Sequence, residues 1–195
     1  MSIIEQYTQD LKQGLDSLSH DTINQLVGAL FDLWLTRKRL FICGNGGSAG
    51  NAIHIANDFT YGINPHGLAL DVEALPANSA VMTCLANDIG YQNVFSHQLK
   101  VKAQAGDILI VLSGSGNSDN IVNAIKQAKS MGVKTFAIVG YNGGQAKLLA
   151  DSVIHVALDD MQIAEDIQVI VGHMVMKALY KAIADYQNEP LSQAK

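Results

Sequence analysis

Charge is scarce in this 195-residue chain: 16% of residues are charged against 48% apolar. That balance excludes an intrinsically disordered protein and suffices for a sizeable core. It also implies that some surface is covered by another copy of the chain. An excess of positive charge is lacking as well. The net charge is −5, so nothing marks a nucleic-acid or anionic-membrane surface. A phosphate ligand would have to be held by local dipoles and hydroxyls. The only cysteines, Cys43 and Cys84, form no C-x-x-C pair and support no disulfide framework. Both have apolar neighbours, which predicts two buried free thiols in a reducing cytosol. The start, Met1 to Gln6, lacks the basic and apolar regions of a signal sequence, and no apolar run is read as transmembrane. A soluble cytoplasmic protein is expected. There is no fixed-period repeat and no low-complexity linker, and the length predicts one domain with a helical appendage.

What is present is organised around Leu40-Phe41-Ile42-Cys43-Gly44-Asn45-Gly46-Gly47-Ser48. An apolar run stops at Gly44, glycines surround an Asn, and helical spacing begins at Ser48. This is a buried strand, a tight turn and a helix N-terminus, whose free N–H groups can receive an anion. Ile108 to Ser118 repeats the design, ending Ser113-Gly114-Ser115-Gly116-Asn117-Ser118. Two such junctions suggest a phosphorylated small molecule held between them.

In chain order, apolar spacing of three to four predicts helices over 3–19 and 22–36, the second capped by Asp21 or Thr22. From residue 40 the pattern alternates. Strands are predicted at 40–44, 68–75, 108–112, 134–140 and 152–158. Helices are predicted at 48–60, 94–103, 119–131, 145–150 and 161–184, with weaker helical character over 78–86 and a turn over 87–90. Five short apolar runs separated by helices predict an α/β fold, a doubly wound five-stranded parallel sheet flanked by helices. The expected organisation is an N-terminal helical arm for oligomerisation (1–38), the α/β domain (39–187) and a polar tail (188–195). Ligands of such sheets bind beyond the strand carboxyl ends, where both glycine loops lie.

The first loop, Asn45 to Ser48, offers amides and a hydroxyl. It has no Gly-Lys-Ser/Thr, and its G-x-G-x-x-G spacing is imperfect, so no nucleotide cofactor is expected. In the second loop Ser113, Ser115 and Ser118 supply three hydroxyls, Gly114 and Gly116 let the backbone approach, and a helix N-terminus follows. Helix capping needs one hydroxyl, so three favour a phosphomonoester. His54 and Asp58 share a helix face. They suit a metal or a proton transfer, and equally a packed His beside a solvated Asp. Asn87 and Asp88 suit sugar hydroxyls or a plain turn. Gln168 and His173 are polar positions in an apolar helix, about 140° apart around it.

Together Cys43–Ser48, Ala86-Asn87-Asp88, Ser113–Ser118 and Ile167-Gln168 resemble the sugar isomerase (SIS) domain family, in its phosphoheptose isomerase branch, over nearly the whole chain. The resemblance implies an intramolecular aldose–ketose isomerase acting on sedoheptulose 7-phosphate in carbohydrate metabolism. It implies a homotetramer with sites between subunits and zinc bound there. Asn45, Gly46, Gly47, Asn87 and Asp88 would line the substrate, with Ser113, Ser115 and Ser118 on its phosphate. Ser48, Gly114 and Gln168 would also bind substrate; His54, Asp58 and Gln168 would occupy metal positions, Asp58 and His54 being catalytic. Two positions depart from the pattern. The family base is a Glu where this chain has Asp58. The family has a His eight residues after the Gln, where this chain has Met176; His173 falls three residues short. These departures keep an alternative open, a non-catalytic phosphosugar-binding or regulatory protein such as those that associate with the replication initiator DnaA.

Overall fold

The structure, a computed structural model, describes residues 1–188; tail residues 189–195 lie outside the described residues. Strands β1 (Arg39–Gly44), β2 (Asp71–Ala74), β3 (Ile108–Ser113), β4 (Lys134–Val139) and β5 (Ser152–His155) form one sheet. Their order is β2-β1-β3-β4-β5, and every neighbouring pair is parallel. This is the expected doubly wound sheet. The helices are α1 (Ile3–Asp16), α2 (His20–Thr36), α3 (Gly47–Asn57), α4 (Ser79–Ile89), α5 (Val94–Lys102), α6 (Asp119–Ser130), α7 (Gly144–Leu149) and α8 (Met161–Asn188).

Alternate strand residues point to opposite faces, and both faces are covered. Leu40, Ile42, Ile108, Ile110 and Leu112 join α2, α3 and α8 in one core. Phe41, Cys43, Leu109 and Val111 join α5 and α6 in the other. Double burial is why these strands read as unbroken apolar runs. The N-terminal pair belongs to the first core. Leu26, Leu30 and Leu33 of α2 are buried there, and the Tyr7 hydroxyl of α1 donates to Asp166 of α8 at 2.6 Å. The cap of α2 is Ser19, whose hydroxyl accepts from the Thr22 amide, and the helix starts two residues earlier than expected.

The chain leaves β1 towards β2 on one side and returns to β3 on the other. The order therefore reverses between β1 and β3, and the crevice beyond their carboxyl ends is the switch point where such sheets bind ligands. Both glycine loops stand there.

Further expectations need correction. Strand β5 ends at His155, three residues before the expected end. Strand β2 covers only 71–74, because the backbone before it is bonded elsewhere. The Leu68 carbonyl accepts from Trp34 Nε1 at 2.7 Å and the Ala69 carbonyl from Arg37 Nη1 at 3.0 Å. Residues 87–89 are not a turn but the end of α4, which stops at Gly90 with φ +86°. Cys84 on α4 is exposed, whereas Cys43 is buried; α4 has no fully buried residue, and its Met82, Leu85 and Ala86 are only partly buried against the second core. By length and composition α8 could also cross a membrane. Its stripe Ile163, Ile167, Val171, Val175, Leu179 and Ile183 is instead packed in the first core.

Helices α3 and α8 run parallel in close contact. A Cβ on Gly172 would lie 2.7 Å from Ile55 Cγ1, nearer than real side chains approach. Gly172→Ala should lower stability by about 1–3 kcal/mol through overpacking, read as a lower urea midpoint with unchanged slope.

Candidate active site

The serine loop is built before any ligand arrives. The Gly116 amide donates to Ser113 Oγ at 3.0 Å and the Asn117 amide to Ser115 Oγ at 3.3 Å. Gly116 has φ +68°, a conformation open to glycine. Asn117 bridges to the next loop, its Oδ1 accepting from the Gln145 amide at 3.0 Å. Ser118 is the N-cap of α6, yet its side chain makes no capping hydrogen bond. Its hydroxyl is free beside the Asp119 and Asn120 amides, which have no partner within the helix, whereas the Ile121 amide already donates to the Ser118 carbonyl at 3.0 Å. Capping therefore does not account for Ser118. A pocket of about 100 Å³ opens here, lined by Ser48, Ser113, Ser115, Ser118 and Glu165 among others.

Across it, the N-cap of α3 is Gly46, whose φ of +55° and ψ of −123° suit only glycine. Gly44 is equally constrained, since a Cβ would come within 2.6 Å of the Ser48 carbonyl oxygen. Ser48 is buried against the pocket. The Glu165 carboxylate lies against Gly47, where a Cβ would collide with it, so a negative charge from α8 sits at the N-terminus of α3. The Asn45 side chain is a latch. Its Oδ1 accepts from Asn120 Nδ2 at 2.8 Å and from the Tyr91 hydroxyl at 2.9 Å, and its Nδ2 donates to Asn120 Oδ1 at 2.9 Å. Asn120 is 2% exposed. The pair ties the turn after β1 to the first turn of α6 and thus fixes the distance between the two loops.

Further along α3, Asn51 Nδ2 donates to Gln168 Oε1 at 3.0 Å and to the Glu165 carbonyl at 2.9 Å. Gln168 is 1% exposed, and its Nε2 has no partner. One turn on, His54, Asp58 and His173 converge. The two histidine Nε2 atoms are 2.9 Å apart. Asp58 Oδ2 is 3.5 Å from His54 Nε2 and 3.3 Å from His173 Nε2. Asp58 opens a π-helical segment, Asp58–Gly62, a distortion common at functional sites.

The structure thus brings Asn45, Ser48, Ser113, Gly114, Ser115 and Ser118 to one pocket, with Gly46 and Gly47 shaping its wall. It brings His54 and Asp58 together and adds His173, although Gln168 and His173 are separated by about 140° around α8. They contact α3 on either side of the Ile55–Gly172 contact. Asn87 and Asp88 stand exposed on α4, bonded to each other at 2.8 Å; neither lines the pocket. Glu165, Tyr91 and Asn120 were not singled out from sequence. Asn120 was the most legible, a polar residue beside apolar Ile121 in the turn after three serines. A roomier concavity of about 450 Å³ lies between α4 and α5, lined by Val81, Cys84, Leu85, His97 and Val101 among others. Asn78, Gln98 and Lys102 also line it, but it has no serine cluster at a helix N-terminus, so the site is placed by chemistry and not by volume.

A sequence model of the SIS domain matches residues 5–140. The phosphoheptose isomerase of Clostridium acetobutylicum is 34% identical over 163 residues, 84% of this chain and 83% of that one. The phosphoheptose isomerase of Akkermansia muciniphila is 35% identical over 171 residues, 88% of this chain and 90% of that one. Among solved structures, phosphoheptose isomerase GmhA from Neisseria gonorrhoeae superposes with a TM-score of 0.83 at 25% identity, over 92% of this chain and 97% of that one. The chain belongs to the SIS domain family.

The Asn45–Asn120 latch makes a direct prediction. Asn120→Ala leaves the half-buried amide of Asn45 short of two bonds and should lower stability by about 1–2 kcal/mol. Tyr91→Phe should have a smaller effect, since it removes one half-exposed bond. Urea denaturation of the two variants checks the order.

Proposed function

We propose that this protein is a phosphosugar isomerase that interconverts a ketose and an aldose phosphate through an enediol, with sedoheptulose 7-phosphate as its substrate. The observation that carries the reading is the free Ser118 hydroxyl at the α6 N-terminus, in a serine loop already shaped and facing the α3–α8 groove. A phosphate there would accept from the Ser115 and Ser118 hydroxyls and the first-turn amides of α6. The sugar would then run along α3. From Ser48 to His54 is about 9 Å along the helix, a length an extended sugar phosphate can span. The unpaired Gln168 Nε2 lies on that path, and a substrate oxygen would satisfy it.

Isomerisation needs one base that moves a proton between adjacent carbons, and a group that neutralises charge on oxygen. Asp58 is the base in this reading. Its Oδ2 faces the histidines, and Oδ1 has only a long 3.4 Å contact with Asn57, so Oδ1 is left to take the proton. Without a metal, His54 Nε2 is positioned to hold or return a proton at the substrate oxygen. The donors also fit zinc, which takes imidazole and carboxylate ligands; His54 and Asp58 would hold it, and when bound it would polarise the substrate carbonyl. Gln168 fits this role less well, because its ligating oxygen already accepts from Asn51.

The reading extends to a cytoplasmic homotetramer with sites between subunits. Its support is the incompletely covered apolar face of α4 and the exposed Ile53, Tyr61 and Met174 around the histidines. No nucleic-acid or membrane partner enters it.

Incubating the purified protein with sedoheptulose 7-phosphate and following product by NMR tests the proposal. Turnover is expected. Asp58→Asn should reduce it by ~10²–10⁴-fold. Ser115→Ala with Ser118→Ala should raise KM at least ~10-fold, as expected for losing hydrogen bonds to a charged group. Absence of turnover while phosphosugar binding persists would leave a binding protein and overturn the isomerase reading.

A further inference from the structure

We propose that His173 is the third protein ligand of a divalent transition-metal site with His54 and Asp58, and that Met176 takes no part in it. For what the metal would do, the proposal rests on the isomerase reading; its evidence is independent geometry. The three donor atoms form a triangle with sides of 2.9, 3.3 and 3.5 Å. Ligand atoms about 2.0–2.1 Å from a tetrahedral zinc lie roughly 3.3 Å from one another. The triangle therefore has the size of one face of a zinc tetrahedron. The two imidazoles meet edge to face, centroids 5.1 Å apart and planes at 78°, which lets both Nε2 atoms point to one spot without the rings clashing.

Two nitrogens and one carboxylate oxygen are the donor set of an open catalytic site, with a fourth position left for water or substrate. They also suit cobalt, which allows a spectroscopic readout. The His54 and His173 side chains are 47% and 45% exposed, so an ion can enter from solvent. Met176 is turned elsewhere. Its sulfur lies 3.6 Å from where a Gly62 Cβ would stand, and it packs against the first core. A thioether is in any case a poor ligand for zinc.

The ligand set follows from the register of α3 on α8. The Ile55–Gly172 contact is at the centre, and His54 and His173 are each the sequence neighbour of one of its members. Any residue at 173 would face His54; in this chain it is a histidine.

The test uses chelator-stripped full-length protein titrated with Co²⁺, followed by its visible absorption, and with Zn²⁺ by calorimetry. One ion per chain is expected. Losing an outer-shell partner alone weakens metal binding ~10–100-fold, so His173→Ala should weaken it by more than ~10²-fold. Met176→Leu should bind as the parent does. His173→Asn, close in size, should lose binding too, and an unchanged melting temperature in either variant would show that the fold survives. Equal affinity in the parent and His173→Ala, or no metal uptake by the parent, overturns the proposal. Turnover of sedoheptulose 7-phosphate without metal uptake would sink the proposal and spare the isomerase reading. Metal uptake through His173 without turnover would do the reverse.

Discussion

The contact on which this site depends is the close parallel approach of α3 and α8, with Ile55 seated where Gly172 has no side chain. Two polar pairs flank it, Asn51 with Gln168 on one side and His54 with His173 on the other. Neither pair would hold its distance if the helices separated by the width of a methyl group. The apolar stripe of α8 makes the approach stable, because it is buried in the same core as α2 and the sheet. Packing and polar chemistry are thus one constraint. The long apolar helix that fixes the core also carries Glu165, Gln168 and His173 into the groove.

A second constraint is electrostatic. The chain is acidic overall, at −5, and offers a phosphate no broad positive field. Two helix N-termini face the switch point, and they are not equivalent. At α3 the Glu165 carboxylate already lies against the first turn, and a phosphate there would meet a like charge. At α6 the first-turn carboxylate, Asp119, is exposed to solvent, and the loop offers hydroxyls and the amides of residues 119 and 120. In the proposed reading this difference orients the substrate, with the phosphate at α6 and neutral hydroxyls at Glu165. The Asn45–Asn120 latch then sets the spacing, as it joins the two loops through a part-buried amide pair.

Much of this was legible in the chain itself. The strands were, because residues such as Leu109, Ile110 and Val111 are buried on both faces and interrupt every polar pattern. The two loops were, because glycine and serine punctuate strand ends. What escaped depends on groups distant in sequence. Strand β2 is short because Trp34 and Arg37 take its preceding carbonyls. Cys84 is exposed because α4 is only partly buried, packing Met82, Leu85 and Ala86 against the second core and leaving Cys84 outside it. Glu165 could not be found from spacing, since only the parallel crossing of α8 over α3 places it at Gly47.

The same limit governs the histidines. Motif spacing places a histidine at 176 and finds a methionine, from which lost chemistry would follow. Spacing along one helix, however, does not define what meets a second helix. Residues 173 and 176 are separated by about 300° of rotation, hence by only about 60° on the helix wheel, and by about 4.5 Å of rise. A long side chain can make up such an offset if its target also shifts. Here the target is Asp58, shorter by a methylene than the glutamate of the resemblance and placed where α3 gives way to a π-helical turn. That carboxylate still reaches both imidazoles. A shortened acid, a loosened helix end and a histidine three positions earlier are each a departure when taken alone. Taken together they restore a triangle of donors, and the geometry among the three is what a proton or a metal would experience.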